Sequence, residues 1–176
     1  MKVTKSKIEG VCVIEPDIYR DERGFLMESF QINRYKELAG IDCNFVVDIF
    51  SRSSKNVLRG LHFQKKFPQG KLVRASKGEI LDVAVDIRKE SSTFGLWESF
   101  LLTEENRKQV WVPPGLAHGF LIVSDQADFE YKASEFYHPE DEFTLLWNDP
   151  HLGIEWSCKN PILSEKDKKG IFFKDI

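Results

Sequence analysis

Few side chains in this sequence can move a proton or stabilise a charge from inside an apolar segment. Of the four histidines, His62, His118, His138 and His151, only the first two lie in apolar, strand-like surroundings: His62 in LRGLHFQ and His118 in PPGLAHGF. Each is either a satisfied histidine at a strand end or an acid–base group, and spacing alone weighs the two equally. Tyr131, in DFEYKA, shares a face with Phe129 and Ala133, so by itself it reads as a core tyrosine. Lys71 follows Gln69-Gly70 at the start of a strand and matters chemically only if it points into a pocket. Asp167 ends Ser164-Glu165-Lys166-Asp167, which reads first as a capping box at a short helix.

Other chemistries lack their residues. His62 has no His-x-His partner and His118 keeps only a Pro-x-Gly-x-x-His pattern, so no metal set is expected. There is no GxGxxG, P-loop, GxSxG or HExxH, and no cofactor is expected. With a net charge of −3 and 25 scattered basic residues, nucleic acid is not an expected partner. The odd, widely spaced set Cys12, Cys43 and Cys158 suggests neither disulfides nor a zinc site. The N-terminal MKVTKSKIEG lacks the apolar core of a signal peptide and no run nears the length of a membrane span, which places the expected protein in the cytoplasm, away from membranes.

The elements that must carry these residues are mainly strands. Short alternating segments recur between turn residues, over 10–15, 24–30, 45–51, 57–64, 71–76, 80–87, 97–103, 109–112, 118–124, 128–134 and 143–148. In 80–87 the odd positions Leu81, Val83, Val85 and Ile87 are apolar, which sends Asp82 and Asp86 to the other face, where they could line a pocket. Helical signals are short: 32–39 stopped by Gly40, a Thr103-capped turn to Lys108, and a segment from Ser164 to Gly170. At 176 residues, 41% hydrophobic and 30% charged, with no linker or repeat, the chain reads as one domain over 1–176: an all-β sandwich or barrel with a few short helices.

The motifs RGLHFQ (59–64), QGKLVR (69–74), GEILDVAVDIRKES (78–91), VPPGLAHGF (112–120), EYKASEFYHP (130–139) and ILSEKD (162–167), with DERGF (21–25), closely resemble the dTDP-4-dehydrorhamnose 3,5-epimerase family from end to end. That resemblance implies a homodimeric, metal-free, cupin-type jelly roll acting on a nucleotide-linked 4-keto-6-deoxyhexose. Removing a proton beside a ketone requires a positioned base and a group that stabilises the enolate oxygen. By motif, His62 then resembles the base, Asp167 the carboxylate that raises its basicity and fixes its tautomer, Lys71 the enolate stabiliser, and Tyr131 the acid on the opposite face. His118 and Asp82 match positions that contact the sugar or tune the base. Arg23, Glu28, Arg59, Glu142 and Lys166 match the nucleotide diphosphate site, and Tyr137 the position stacked on the base.

Where the family carries Gln-Asp-Asn-His, this chain has Val47-Asp48-Ile49-Phe50. Asp48 is retained for substrate binding, but three polar positions have become apolar. The resemblance therefore implies inversion at C3, C5 or both, with an epimerase at a single centre on another nucleotide sugar, or a sugar-binding protein without turnover, as alternatives. Strict alternation also puts Arg59 and His62 on opposite strand faces, so a bulge at Gly60, or an Arg59 that serves a partner's pocket, is expected.

Overall fold

A computed structural model describes residues 1–176. The chain runs through β1 (Lys2–Lys5), β2 (Cys12–Glu15), β3 (Ile18–Asp21), β4 (Gly24–Met27), the helix α1 (Ile32–Ala39), β5 (Val47–Ser54) and β6 (Leu58–Gln64). It continues through β7 (Lys71–Lys77), β8 (Glu79–Asp86), β9 (Trp97–Thr103), β10 (Gln109–Val112), β11 (Leu116–Ile122), β12 (Gln126–Ala133) and β13 (Glu142–Thr144). Two antiparallel sheets form, ordered β1-β2-β10-β7-β12-β5 and β13-β6-β11-β8-β9, with β3 and β4 as a separate hairpin. This is a β-sandwich, one of the architectures that the alternating segments predict, in the jelly-roll form that the family resemblance implies.

Three apolar clusters hold the layers together. Between the sheets lie 15 buried residues, among them Val73, Ile80, Leu102, Phe120 and Phe129. The outer face of the five-stranded sheet, with Leu61, Phe63, Val83 and Val85, is covered by the C-terminal tail through Leu152 and Phe173. The outer face of the six-stranded sheet is covered by Tyr35 of α1 and by Ile41. Each large side chain taken fully out of water contributes about 1.5–3 kcal/mol. Both faces of β8 are therefore buried over most of its length: Glu79 is exposed and Leu81 half-buried, but Asp82 to Asp86 are all interior.

The two aspartates of β8 separate at this point. Asp82 faces the inter-sheet space, whereas Asp86 binds Arg88, Ser91 and Thr93 and closes the turn after the strand. Burial pushes the Asp86 carboxyl up, but those hydrogen bonds outweigh it and hold the group well below the usual carboxylate range. Its expected place in a pocket is corrected to a structural one.

The helix 32–39 forms as read, with the Gln31 side chain accepting from the Arg34 amide and Gly40 in the left-handed region at φ 69°. The Thr103 turn also forms, its Oγ1 accepting from the Asn106 amide at 2.9 Å. The stretch 164–170 is instead a turn leading into a 3-10 segment, Asp167–Lys169. It is stopped because Ile171 must bond the Thr144 carbonyl at 2.8 Å. β1 and β3 carry no apolar alternation and escape detection: one is a short charged edge strand, the other half of an exposed hairpin.

The register of β6 resolves the tension over Arg59. On β11, His118 opposes His62 and Phe120 opposes Arg59, so Gly60 and Leu61 of β6 together face the single residue Gly119 of β11. The surplus residue at Gly60-Leu61 is a β-bulge that returns Arg59 and His62 to the same inner face. Only glycine fits at Gly60, because its φ is +121° and a Cβ would stand 2.6 Å from Gly119 Cα and 2.7 Å from the His118 carbonyl oxygen. Gly60→Ala is expected to cost more than about 2 kcal/mol in urea unfolding. A loss under half of that would mean that the bulge tolerates a side chain.

Candidate functional site

His62 stands on the inner face of β6 with its ring 26% exposed. Its Nε2 lies 2.6 Å from Oδ1 of Asp167, a side chain only 3% exposed. The tail that delivers Asp167 is fastened on both sides. Ile162 exchanges backbone bonds with Asn56 and Leu58 at 2.8 and 3.0 Å, and Ile171 with Thr144 and Leu146 at 2.8 Å each. Half of the capping box survives: Ser164 Oγ accepts from the Asp167 amide at 3.1 Å, but the carboxylate turns away to the imidazole and the Gly60 amide. Burial alone would raise the Asp167 carboxyl, yet the hydrogen bond and charge of His62, with Ser164 and Gly60, leave it lowered and ionised.

A second histidine–carboxylate pair lies beside the first. His118, opposite His62 in the register, places Nε2 2.7 Å from Oδ1 of Asp82, which is fully buried. The other Asp82 oxygen, Oδ2, has no protein partner, and neither has Thr144 Oγ1, on the strand position directly opposite His62. Both are buried polar atoms free to meet a ligand or a water molecule. Thr144 escapes a sequence reading because a threonine within the run 143–148 carries no sign of chemistry by itself; the strand that forms is Glu142–Thr144.

The six-stranded sheet supplies the facing wall. Lys71 opposes Ala133, and Tyr131 opposes Val73 and Ile49, which sets all of them on the inner face. Lys71 is 9% exposed, and burial lowers its amine to about 8, against Glu142 and Asp82, whose charges favour the ammonium. Burial, then the Glu142 charge, raises the Tyr131 phenol while Arg59 opposes them, so the phenol stays protonated at neutral pH. Arg59 reaches across to Ser53 Oγ at 3.1 Å. Tyr137 donates to Glu142 at 2.8 Å and Lys166 pairs with the same carboxylate, whose other oxygen lies 3.9 Å from His62 Nδ1.

His62, Lys71, Asp82, His118, Tyr131, Glu142, Lys166 and Asp167 thus form one connected cluster, with Arg59 and Tyr137 at its rim. Three of the residues read from sequence lie elsewhere. Asp48 opposes Lys132 and bonds it at 2.8 Å on the outer face, because the period of two sends Asp48 and Phe50 out and Val47 and Ile49 in. It borders a hollow of about 400 Å³ with Arg74, Gln109 and Glu130 on the far side of the sheet from His62. Arg23, 85% exposed, pairs with Asp21 at the tip of the β3–β4 hairpin, and Glu28 pairs with Arg34 at 2.6 Å. Of the three apolar departures, only Val47 and Ile49 flank Tyr131.

The arrangement can remove a proton with one group and deliver one with another, since His62 and Tyr131 stand on facing sheets. Both histidines of the interior are spent on carboxylates, and no three His, Cys, Asp or Glu side chains converge as a metal cage. Asp82→Ala, which strips His118 of its buried partner, is expected to cost about 1–3 kcal/mol in urea unfolding, and Asp82→Asn less. Equal stability of the alanine variant would show that the pair carries no structural load.

Comparison with known proteins gives the family. The sequence profile of the dTDP-4-dehydrorhamnose 3,5-epimerase family matches residues 5–175. A dTDP-4-dehydrorhamnose 3,5-epimerase of Shigella flexneri is 49% identical over 176 residues, spanning 99% of this chain and 97% of that one. The crystal structure of a dTDP-6-deoxy-D-glucose-3,5-epimerase from Legionella pneumophila in complex with dTDP-4-keto-L-rhamnose superposes with a TM-score of 0.95 at 50% identity, covering 98% of this chain and 93% of that one. A 3'-monoepimerase from Streptomyces bikiniensis, solved in complex with dTDP-quinovose, gives a TM-score of 0.90 at 33% identity, covering 96% and 86%. With the match running through both sheets and through the tail that brings Asp167 to His62, the chain belongs to the dTDP-4-dehydrorhamnose 3,5-epimerase family and is an isomerase on a cupin-type jelly roll.

Proposed function

We propose that the chain inverts C3, C5 or both of a dTDP-linked 4-keto-6-deoxyhexose, with His62 as base and Tyr131 as acid. The 2.6 Å contact of His62 Nε2 with Asp167 carries this reading. With Nε2 held by the carboxylate, Nδ1 is the nitrogen free to take the proton beside the ketone. The C–H electron pair moves into an enolate whose oxygen the Lys71 ammonium stabilises. The Tyr131 phenol then returns a proton to the other face of the carbon. The step ends with imidazolium and tyrosinate, which exchange protons with solvent before the next one.

Two further readings belong to this proposal. The chain acts as a homodimer: the β3–β4 hairpin leaves Tyr19 59%, Phe25 50% and Leu26 67% exposed, and a second copy's hairpin would bring Arg23 and Glu28 to the diphosphate. A cytoplasmic setting suits three free thiols, of which burial raises Cys12 to about 11 and leaves it inert. Inversion at a single centre is the alternative that Val47 and Ile49 favour, since neither can hydrogen-bond a substrate held beside Tyr131.

Incubation with dTDP-4-keto-6-deoxyglucose in heavy water separates these readings by NMR. Deuterium is expected at C3, C5 or both, and none in His62→Ala. Binding without label would leave only a sugar-binding protein. The rate has a basic limb as well: Lys71 is charged below about 8 and loses its proton above it, so kcat/KM should fall as pH rises through about 8. Lys71→Met should lower kcat/KM by about 10²–10³ and remove that limb. A limb unchanged in Lys71→Met would assign it to another group.

A further inference from the structure

Glu142 matches a position of the nucleotide diphosphate site, yet a carboxylate repels a diphosphate, and the structure gives it other work. Its side chain is 12% exposed and has three partners. One oxygen accepts from Tyr137 Oη at 2.8 Å and pairs with Lys166 Nζ, and the other stands 3.9 Å from His62 Nδ1. Burial alone would raise this carboxyl, but Lys166, Tyr137 and the charge of His62 hold it lowered, so it is an anion at neutral pH. The same charge also reaches Lys71 and Tyr131.

The imidazole of His62 therefore lies between two carboxylates. Asp167, from the tail, holds Nε2, and Glu142, from β13, faces the nitrogen where the abstracted proton would land. A negative charge at that distance favours the protonated ring. Lys166 offsets it, and it is itself half-exposed, on the same short segment as Asp167.

We propose that Glu142 is a positioning residue that completes the base, and that Lys166 masks its charge until a bound diphosphate draws the ammonium away. The proposal rests on the reading of His62 as base and Lys166 as a diphosphate contact. Proton abstraction is then favoured only with a nucleotide sugar in place. The other charged and titratable groups around the ring, Asp167, Arg59, Lys71, Tyr131 and the Asp82–His118 pair, stay unaltered in the variants that test it.

The test follows the His62 imidazole by NMR against pH in the full-length, unliganded protein. Removing the anion in Glu142→Gln should move the titration midpoint down, and removing the cation in Lys166→Met should move it up, each by roughly half to one pH unit. Glu142→Asp, which keeps the charge, should titrate close to the unsubstituted protein, whereas a purely structural role would move the Asp and Gln variants alike. Adding dTDP should raise the midpoint more in the unsubstituted protein than in Glu142→Gln. Midpoints that do not move, or that move in the same direction in Glu142→Gln and Lys166→Met, overturn the proposal, as does an equal response to dTDP. Because the titration needs no turnover, the two failures are distinguishable: opposite shifts without deuterium exchange would sink the proposed reaction and with it the role of Glu142 in completing a base, whereas exchange without shifts would overturn this inference alone.

Discussion

The contact between His62 and Asp167 joins residues 105 positions apart, and much of the architecture can be understood as what makes it possible. A charge-assisted bond of this kind is worth about 1.5–3 kcal/mol, too little to hold a loose tail in place. The tail is instead held by its own apolar packing on the five-stranded sheet and by backbone bonds at Ile162 and Ile171. Asp149 adds bonds to the amides of His151, Leu152 and Phe173. The carboxylate thus arrives already ordered, and its hydrogen bond is spent on orienting the imidazole.

The sandwich supplies the other requirement, two walls that face each other. The buried cluster between the sheets reaches the polar residues through Phe129, whose ring lies 6.2 Å from that of His118 and 5.7 Å from that of Tyr131. The apolar neighbours keep the phenol neutral and lower the Lys71 amine, so one burial produces both an acid that can donate and an ammonium close to its titration point. Exposed pairs such as Lys2 with Glu15 or Lys55 with Asp125 add almost nothing to stability. The consequential charges are the enclosed ones.

Period-two alternation made most of the strands legible, and β9 and β10 have the bounds read from sequence. Alternation also decides membership of the site once the pairing is known: Ile49 and Val47 enter, Asp48 and Phe50 do not. What could not be read came from interactions distant in sequence. Ser164 to Asp167 looks like a helix cap in isolation, and only the approach of β6 turns the carboxylate to His62. Arg59 joins His62 through a bulge that is set by the close approach of Gly60 to Gly119, a contact across two strands. Thr144 and the unpaired Asp82 oxygen carry no local signal at all. The proposed catalytic roles came only through the motifs of the family: taken singly, His62 read equally as a strand-end histidine or a base, Tyr131 as a core residue and Asp167 as a cap.

The central claim is that two groups on two facing sheets handle the two protons of each inversion. It is tested most directly with Tyr131→Phe in heavy water, by comparing label at the carbon beside the ketone with the configuration of that carbon. The account expects deuterium to enter with configuration retained, because His62 still removes and returns a proton on its own face while nothing delivers one to the other. Inverted product formed at the unsubstituted rate would contradict it.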